Sequence, residues 1–429
     1  MSVTQITAVH ARTVYDSRGH PTVEAEVRLA GGAVGRGIAP AGASRGRHEA
    51  VDLRDGGPAF GGYGVSRAVE NVKGPLARAL VGLDVADQAQ IDRALIAADG
   101  TSDKSRLGGN AIVALSLASL DAAARAAGLA TWAWLAQGRP VTLPMPEIQV
   151  FGGGAHAGRR VDVQDFMVVP VGASCFAQAL SMVAEVYRAA GEVMAEAGKL
   201  AGVADEGGHW PMFATNEEAL DYLVRAIERA GLGPGSDVAI SLDVAASEFG
   251  RDGRYRLGLE GRELDSGGMI DLLAGWLARY PIVSVEDPLA EDDAAGIAEF
   301  TRRFGGRVQI VGDDFLVTNA ERVVQAARRG ACNAALIKVN QAGTVTETKA
   351  ALDAARAVGW GAIVSARSGE TEDVAIVHLA TGWAAGQLKV GSFARSERMA
   401  KWNEGLRVEE ALGADARFAG WPPAGIAGT

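Results

Sequence analysis

Several short apolar runs in the second half of the chain end in a charged residue. The charged residues are Asp243, Glu286, Asp313, Lys338 and Lys389, which follow runs at 238–242, 282–285, 308–312, 335–337 and 387–388. Such runs, separated by longer alanine-rich helical stretches, predict βα units around a barrel, and a barrel builds its active site at the carboxyl ends of its strands. We therefore expect these five side chains to meet at one mouth.

The three carboxylates in this set suit a hard divalent cation. Mg²⁺ prefers carboxylate and water oxygens in octahedral geometry, and the chain has no aspartate-rich loop of the kind that binds calcium. The sequence therefore predicts Asp243, Glu286 and Asp313 as metal ligands. The alternative for any one of them alone is a helix cap or a solvated strand end.

Two lysines and two further acids complete the predicted chemistry. Lys338 is the candidate base, because nearby cations and burial can lower the pKa of a lysine. Lys389 could neutralise a substrate carboxylate, the alternative being a solvated surface charge. The acid opposite the base would be Glu206, in the glycine-rich turn at 204–208, or Asp165. An ordinary acidic turn is the alternative for Glu206.

The elements that position these residues fall into two parts. Residues 7–38 read as alternating strands broken by turns, and apolar positions recur at helical spacing over residues 66–137. Gly138 and Pro140 then break the helical pattern. We predict an α/β protein with a TIM-like (β/α)8 barrel over residues 141–429 and an α+β capping domain over residues 1–140.

Composition excludes several functional classes. The net charge of −10 argues against a nucleic-acid partner, which usually meets a basic face. Only two cysteines are present, and the amino terminus lacks the regions of a signal peptide, so we expect a cytoplasmic protein. Because no apolar run approaches the roughly 20 residues that span a bilayer, we expect no membrane role.

Six segments, in order along both predicted domains, resemble the enolase family. They are DSRG (16–19), PAGAS (40–44), SVEDP (284–288), KVNQ (338–341), RSGETED (367–373) and RSER (395–398). The resemblance implies an enolase-type barrel that binds two Mg²⁺ ions and acts on a small phosphorylated carboxylate. It also implies a homodimer or a larger assembly of dimers, with Glu24 and Arg407 at the interface.

The same resemblance assigns a role to each site residue. One magnesium would be held by the three carboxylates named above, and Ser44 in the lid loop would be a ligand of the second. Lys338 would remove the C2 proton of a 2-phosphoglycerate-like substrate, while Glu206 helps the C3 hydroxyl to leave. The other implied pocket residues are Arg367 and Ser368 for the phosphoryl group, Lys389 for the carboxylate, and His156 and Gln164 for the pocket lining.

Among five departures from the enolase pattern, which also include Ala41, Gly152 and His20, two carry the argument about activity. Ala366 stands where that pattern has a histidine, and Asp165 replaces a glutamate, which withdraws the carboxylate by about 1.5 Å. We expect these changes to damage simple dehydration and to make room beside the phosphoryl site. The leading hypothesis is therefore an enzyme resembling carboxyphosphonoenolpyruvate synthase, which uses a phosphonoformate unit in phosphonate antibiotic biosynthesis. The alternatives are a glycolytic phosphopyruvate hydratase and a catalytically inactive binding protein.

Overall fold

The computed structural model describes residues 2–43 and 46–426. The chain begins with an antiparallel sheet of three strands in sequential order. The strands are β1 (Ile6–Tyr15), β2 (Pro21–Leu29) and β3 (Val34–Ile38). The predicted amino-terminal sheet is therefore confirmed.

Five α-helices follow the sheet, as the helical spacing predicts. They are α1 (Ser66–Asn71), α2 (Ala77–Leu80), α3 (Gln88–Asp99), α4 (Gly109–Ala126) and α5 (Thr131–Ala136). Helix α4 lies directly on β3, where a side chain at Gly35 would place its Cβ 2.2 Å from the carbonyl oxygen of Ala118. The missing side chain is what allows this close contact.

The second part of the chain closes into a barrel. Its strands are β4 (Met145–Gly152), β5 (Asp165–Val169), β8 (Ala239–Asp243), β12 (Ile282–Glu286), β13 (Gln309–Gly312), β14 (Ala334–Ile337), β15 (Gly361–Ser365) and β16 (Gly386–Ser392). Pairing of β16 with β4 closes the circle, which confirms the predicted barrel.

One barrel strand runs against the others. Strand β5 is antiparallel to both of its neighbours, β4 and β8, whereas the other barrel pairs are parallel. The segment between β4 and β5 carries only a short 3-10 turn at Gly154–Ala157 and no crossover helix. A parallel return needs such a crossover, so the short connection reverses the strand. Among the barrel strands described, β5 therefore departs from the parallel order that repeated βα units give.

Helices cover the outside of the barrel, and short strands extend its edges. The helices are α6 (Phe176–Glu196), α7 (Asn216–Arg229), α8 (Ser266–Arg279), α9 (Ala294–Phe304), α10 (Ala320–Arg328), α11 (Val339–Ala342), α12 (Val345–Ala357), α13 (Ala375–Gly382) and α14 (Ser396–Leu412). The short strands are β6 (Leu200–Val203), β7 (His209–Pro211), β9 (Gly250–Arg251), β10 (Arg254–Leu257) and β11 (Arg262–Asp265). Side-chain oxygens of Thr215, Asp265, Asp293 and Thr344 accept backbone N–H groups at the starts of α7, α8, α9 and α12.

The capping part and the barrel meet next to the barrel mouth. Helix α5 ends at Ala136 and the first barrel strand begins at Met145. We keep a domain boundary near residue 140 as a proposal. Within the described part of the chain, none of the helices combines the length and apolar character needed to cross a bilayer.

Candidate active site

The carboxyl ends of the barrel strands bring charged side chains together. Asp243 and Glu286 end β8 and β12 and stand side by side in the parallel register, and Asp313 directly follows β13. All three side chains are buried. The Nζ atom of Lys389 lies 2.8 Å from Asp243 Oδ2 and 2.8 Å from Glu286 Oε2. The lysine thus bridges two of the predicted metal ligands.

The position of Lys389 within its strand differs from the prediction. It does not end its strand, because β16 continues to Ser392 while it pairs with β4 to close the barrel. Although burial alone would lower the pKa of Lys389, Asp243 and Glu286 hold it well above its usual value. Burial, reinforced by Asp243, raises the pKa of Glu286.

Lys338 forms an ion pair with Asp313. Lys338 directly follows β14, and its Nζ contacts Asp313 Oδ2. Burial would lower the pKa of Lys338, but Asp313 raises it above the ordinary value. Burial acts in the opposite sense on Asp313, whose pKa is nevertheless lowered by Lys338. The lowered lysine pKa expected from nearby cations is therefore not produced by the described residues alone.

A strained loop holds this ion pair in place. Val317 and Thr318 have φ angles of 47° and 52°, a region that β-branched residues rarely adopt. The Thr318 hydroxyl accepts the Lys338 backbone N–H at 2.9 Å and donates to Gln341 Oε1 at 2.6 Å. Gln341 Nε2 in turn donates to Asp313 Oδ1 at 2.8 Å. The loop thereby fixes the backbone of Lys338 and the carboxylate of Asp313 together.

A second acidic group lies beneath Asp313. Asp287 accepts the backbone N–H groups of Asp313 at 2.9 Å and Asp314 at 2.8 Å. Burial, followed by the charge of Asp313, raises the pKa of Asp287 to about 8. Asp287, Asp313 and Asp314 offer oxygen atoms close enough together to hold a metal ion.

The predicted acid residues form a buried cluster on another wall of the same pocket. His156 Nδ1 lies 2.9 Å from Asp165 Oδ1, and His156 Nε2 lies 3.6 Å from Glu206 Oε1. Burial would lower the pKa of His156, but Asp165 and Glu206 raise it to about 9. Burial would raise the pKa of Asp165, but His156 lowers it to about 2. At neutral pH His156 is therefore an imidazolium paired with the ionised Asp165, and its Nε2 faces Glu206.

A glycine turn presents Glu206 to this cluster. Gly207 has a φ of 97°, and a side chain there would place its Cβ 2.4 Å from the carbonyl oxygen of Ala394. Gly208 N–H donates to Gln149 Oε1 at 2.8 Å, while Gln149 Nε2 contacts Asp165. Gln149 thus connects the turn to the Asp165 carboxylate.

The predicted phosphoryl-binding residues lie across the mouth on the segment after β15. Arg367 and Ser368 are buried, and the buried guanidinium of Arg398 donates to both of their carbonyl oxygens. Arg18 Nη1, from the capping domain, donates to Ser368 Oγ at 3.2 Å. Ala366 presents only a methyl group at the same edge.

These groups line one cleft. The lining residues are Gly42, His156, Gln164, Asp165, Glu206, Asp243, Lys338, Ser365, Ala366, Arg367, Ser368, Lys389 and Val390. Glu286 and Asp313 lie just below this cleft in contact with its lysines. Ser44, the predicted ligand of a second magnesium, lies outside the described residues.

The carboxylate and amide oxygens in and below the cleft suit a divalent cation. Glu286 Oε1, Gln164 Oε1 and Asp165 Oδ2 are buried acceptors without a hydrogen-bond partner among the described residues. Buried acceptors are rarely left in that state. Hard carboxylate and amide oxygens suit Mg²⁺. Asp243, Glu286 and Asp313 therefore stay our predicted ligands, with Gln164 adjacent.

Sequence reasoning missed several residues that support the site. Gln149, Asp287 and Gln341 each hold a predicted site residue through a buried hydrogen bond. Asp287 and Gln341 fall within the SVEDP and KVNQ segments, so those motifs carried a signal. Gln149 lies in β4, before the turn that carries His156, and no sequence motif pointed to it.

Comparison with known proteins agrees with this architecture. A family model described as "Enolase, N-terminal domain" matches residues 6–135, and one described as "Enolase, C-terminal TIM barrel domain" matches residues 140–424. The chain belongs to the enolase family. It is 50% identical, over 419 residues and 97% of each chain, to a protein named Enolase from Rubrobacter xylanophilus. The similarity to the enolase family therefore covers nearly the whole chain.

Proposed function

We propose that the chain is a phosphopyruvate hydratase, which converts 2-phosphoglycerate to phosphoenolpyruvate and water. The observation that carries the proposal is one cleft lined by Lys338, by the His156–Asp165–Glu206 cluster and by Arg367. A base, a proton donor and an anion-binding group then flank one small substrate.

In this proposal Lys338 Nζ takes the C2 proton, and the C–H electron pair moves into the carboxylate to give an enediolate, which then collapses to form the C2–C3 double bond. The C3–O bond breaks, and the leaving hydroxide receives a proton from the acid cluster and departs as water. Glu206 would deliver that proton, and His156, 3.6 Å away, can return one to it. Arg367 and Ser368 would hold the phosphoryl group, and Lys389 the carboxylate.

The cation contributes one part of this chemistry. When bound, Mg²⁺ would neutralise the carboxylates that keep both lysines protonated and would stabilise the negative charge of the enediolate by several kcal/mol. Asp243, Glu286 and Asp313 would hold it. The walls of the cleft would exclude water from the reacting carbon.

A second candidate function has a specific observation in its favour. Ala366 gives the cleft a methyl group, and Asp165 is short and bound to His156 and Gln149. These features favour a substrate with a bulkier group, such as one built from phosphonoformate, which was the leading hypothesis from the sequence. The relative named Enolase supports the hydratase better than it supports this candidate.

Product analysis separates the candidates. The purified protein with Mg²⁺ is incubated with 2-phosphoglycerate, alone or with phosphonoformate, and the products are read by phosphorus NMR. Phosphoenolpyruvate from 2-phosphoglycerate alone supports the hydratase. A new product with a C–P bond, without phosphoenolpyruvate, would favour the second candidate. No product despite substrate binding would support an inactive binding protein.

We also propose that the chain is cytoplasmic and forms a homodimer through the face that carries Glu24 and Arg407. Within the chain these residues already pair with Arg12 and with Glu404. Arg407 is 65% exposed, so it could exchange its partner in a dimer. Sedimentation velocity on the wild-type protein and on Arg407→Glu tests this, and a wild-type monomer at micromolar concentration would contradict it.

A further inference from the structure

Ala43 and Glu49, in the segment that follows β3, are hydrogen-bonded to the two groups that we assign to the phosphoryl site. Ala43 N–H donates to Ser368 Oγ at 2.6 Å. Arg367 Nη1 donates to Glu49 Oε2 at 2.8 Å, and Arg367 Nη2 donates to Glu49 Oε1 at 3.3 Å. Ala43 and Glu49 therefore contact Ser368 and Arg367, the two side chains that we assign to binding the phosphoryl oxygens.

The contact between Glu49 and Arg367 is a buried, two-point ion pair. The two side chains are only 7% and 3% exposed. A carboxylate that meets both terminal nitrogens of a guanidinium uses the same planar fork that binds two oxygens of a phosphoryl group. A phosphoryl group and Glu49 thus compete for the same edge of Arg367.

The remaining contacts of Glu49 link this competition to Gly46 and Gln341. Its Oε1 also accepts the backbone N–H of Gly46 at 2.9 Å and Gln341 Nε2 at 3.4 Å. Displacing the carboxylate would therefore break its contact with the Gly46 backbone in the same step. Arg367 Nη1 keeps a second acceptor, Asn340 Oδ1 at 3.2 Å, when Glu49 moves.

We propose that Glu49 is a built-in competitor for the anion-binding site, whose carboxylate occupies Arg367 until a phosphoryl group displaces it. Glu49 would then set the specificity of the site, because weak anions cannot replace a buried two-point ion pair. Displacement would also break the hydrogen bond that Gly46 N–H donates to Glu49 Oε1. The inference rests on the proposed function only in taking Arg367 as the phosphoryl-binding residue.

The test is the affinity of the full-length protein for inorganic phosphate, measured by isothermal titration calorimetry in a buffer with Mg²⁺. We expect Glu49→Gln to bind phosphate at least about tenfold more tightly than the wild type, because the competing charge is gone. Glu49→Asp keeps the charge but withdraws it by about 1.5 Å, so a smaller gain is expected. A purely structural role would give weaker binding in both variants.

Glu291→Gln is the matched control. Glu291 forms an ion pair with Arg47, which lies two residues before Glu49, and Arg47 Nε is 3.0 Å from Glu291 Oε1. The Glu291→Gln substitution removes one carboxylate charge, as Glu49→Gln does, without removing a contact of Arg367. Its phosphate affinity should stay within about twofold of wild type. Equal tightening in Glu291→Gln, or unchanged, weaker or undetectable phosphate binding in Glu49→Gln, would overturn the proposal.

The phosphate titration does not depend on turnover. Suppose that Glu49→Gln binds phosphate more tightly but the wild type does not dehydrate 2-phosphoglycerate. The competitor role of Glu49 would then be supported, and the proposed hydratase activity would be rejected. Dehydration by the wild type without tighter phosphate binding in the variant would do the reverse. Melting temperatures of the variants show whether each is folded at the temperature of the titration.

Discussion

The buried His156–Asp165 pair makes the stability of the protein depend on pH. The carboxylates around His156 raise its pKa from 6.5 to about 9, against the opposing effect of burial. Between these pH values the folded protein holds a proton on His156 that the unfolded chain has released. This contribution to stability is complete below pH 6.5 and is lost as the pH rises through 9.

The size of the effect follows from the two pKa values. The span from 6.5 to about 9, at about 1.4 kcal/mol for each pH unit, corresponds to about 3 kcal/mol. Because the pKa of Asp165 is lowered to about 2, that carboxylate stays ionised throughout this range. His156→Gln should therefore remove about 3 kcal/mol of pH dependence, besides any loss of stability that does not depend on pH.

The assay is urea unfolding of the wild type and His156→Gln at several pH values from 6.5 to 9, with EDTA present and the protein concentration constant. His209→Gln is the control, because burial lowers the pKa of His209 and places its titration below this range. The difference in unfolding free energy between wild type and His156→Gln should shrink by about 3 kcal/mol as the pH rises. A constant difference would refute the charged His156–Asp165 pair.

Three further outcomes are expected. Thr318→Val should lower kcat by about 10- to 100-fold with little change in melting temperature, because the hydroxyl that positions Lys338 is lost, and an unchanged kcat would contradict this. Gly35→Ala should lower the unfolding free energy by about 1–3 kcal/mol, because the new Cβ would lie 2.2 Å from the carbonyl oxygen of Ala118. The control is Gly306→Ala, which should be tolerated because open space surrounds that position. Saturating Mg²⁺, at about 100 times its dissociation constant, should stabilise the protein by about 2.7 kcal/mol in thermal unfolding. Glu286→Gln should reduce that gain, and an equal gain in both proteins would remove Glu286 from the ligand set.

Much of the barrel could be predicted from the sequence because its signals are local. An apolar run that ends in a carboxylate, as at Asp243 and Glu286, predicts a strand that ends at the charged residue, and both strands do end there. The reversal of β5 gave no such signal, since it depends on what connects β4 to β5. Lys389 was misplaced for a similar reason: β16 is extended by its pairing with β4, which is far away in sequence.

The site shows the same division between local and long-range information. The residue types around Lys338 and Glu206 indicate acid–base chemistry, but their charge states depend on contacts between distant segments. Asp313 raises the pKa of Lys338 from 25 residues away in the chain, and Glu49 reaches Arg367 across 318 residues. The left-handed backbone at Thr318 could not be predicted either, because a β-branched residue gives no local reason to adopt it.

The most direct test of the account is exchange of the C2 proton of 2-phosphoglycerate with deuterium from solvent, measured by NMR together with formation of phosphoenolpyruvate. The wild type with Mg²⁺ should catalyse both, and Lys338→Ala should catalyse neither to a measurable extent. Glu206→Gln should keep exchange while it slows formation of phosphoenolpyruvate. Exchange and dehydration that persist in Lys338→Ala, or that are absent from a wild-type protein shown to bind substrate, would contradict proton abstraction by Lys338 at this barrel mouth.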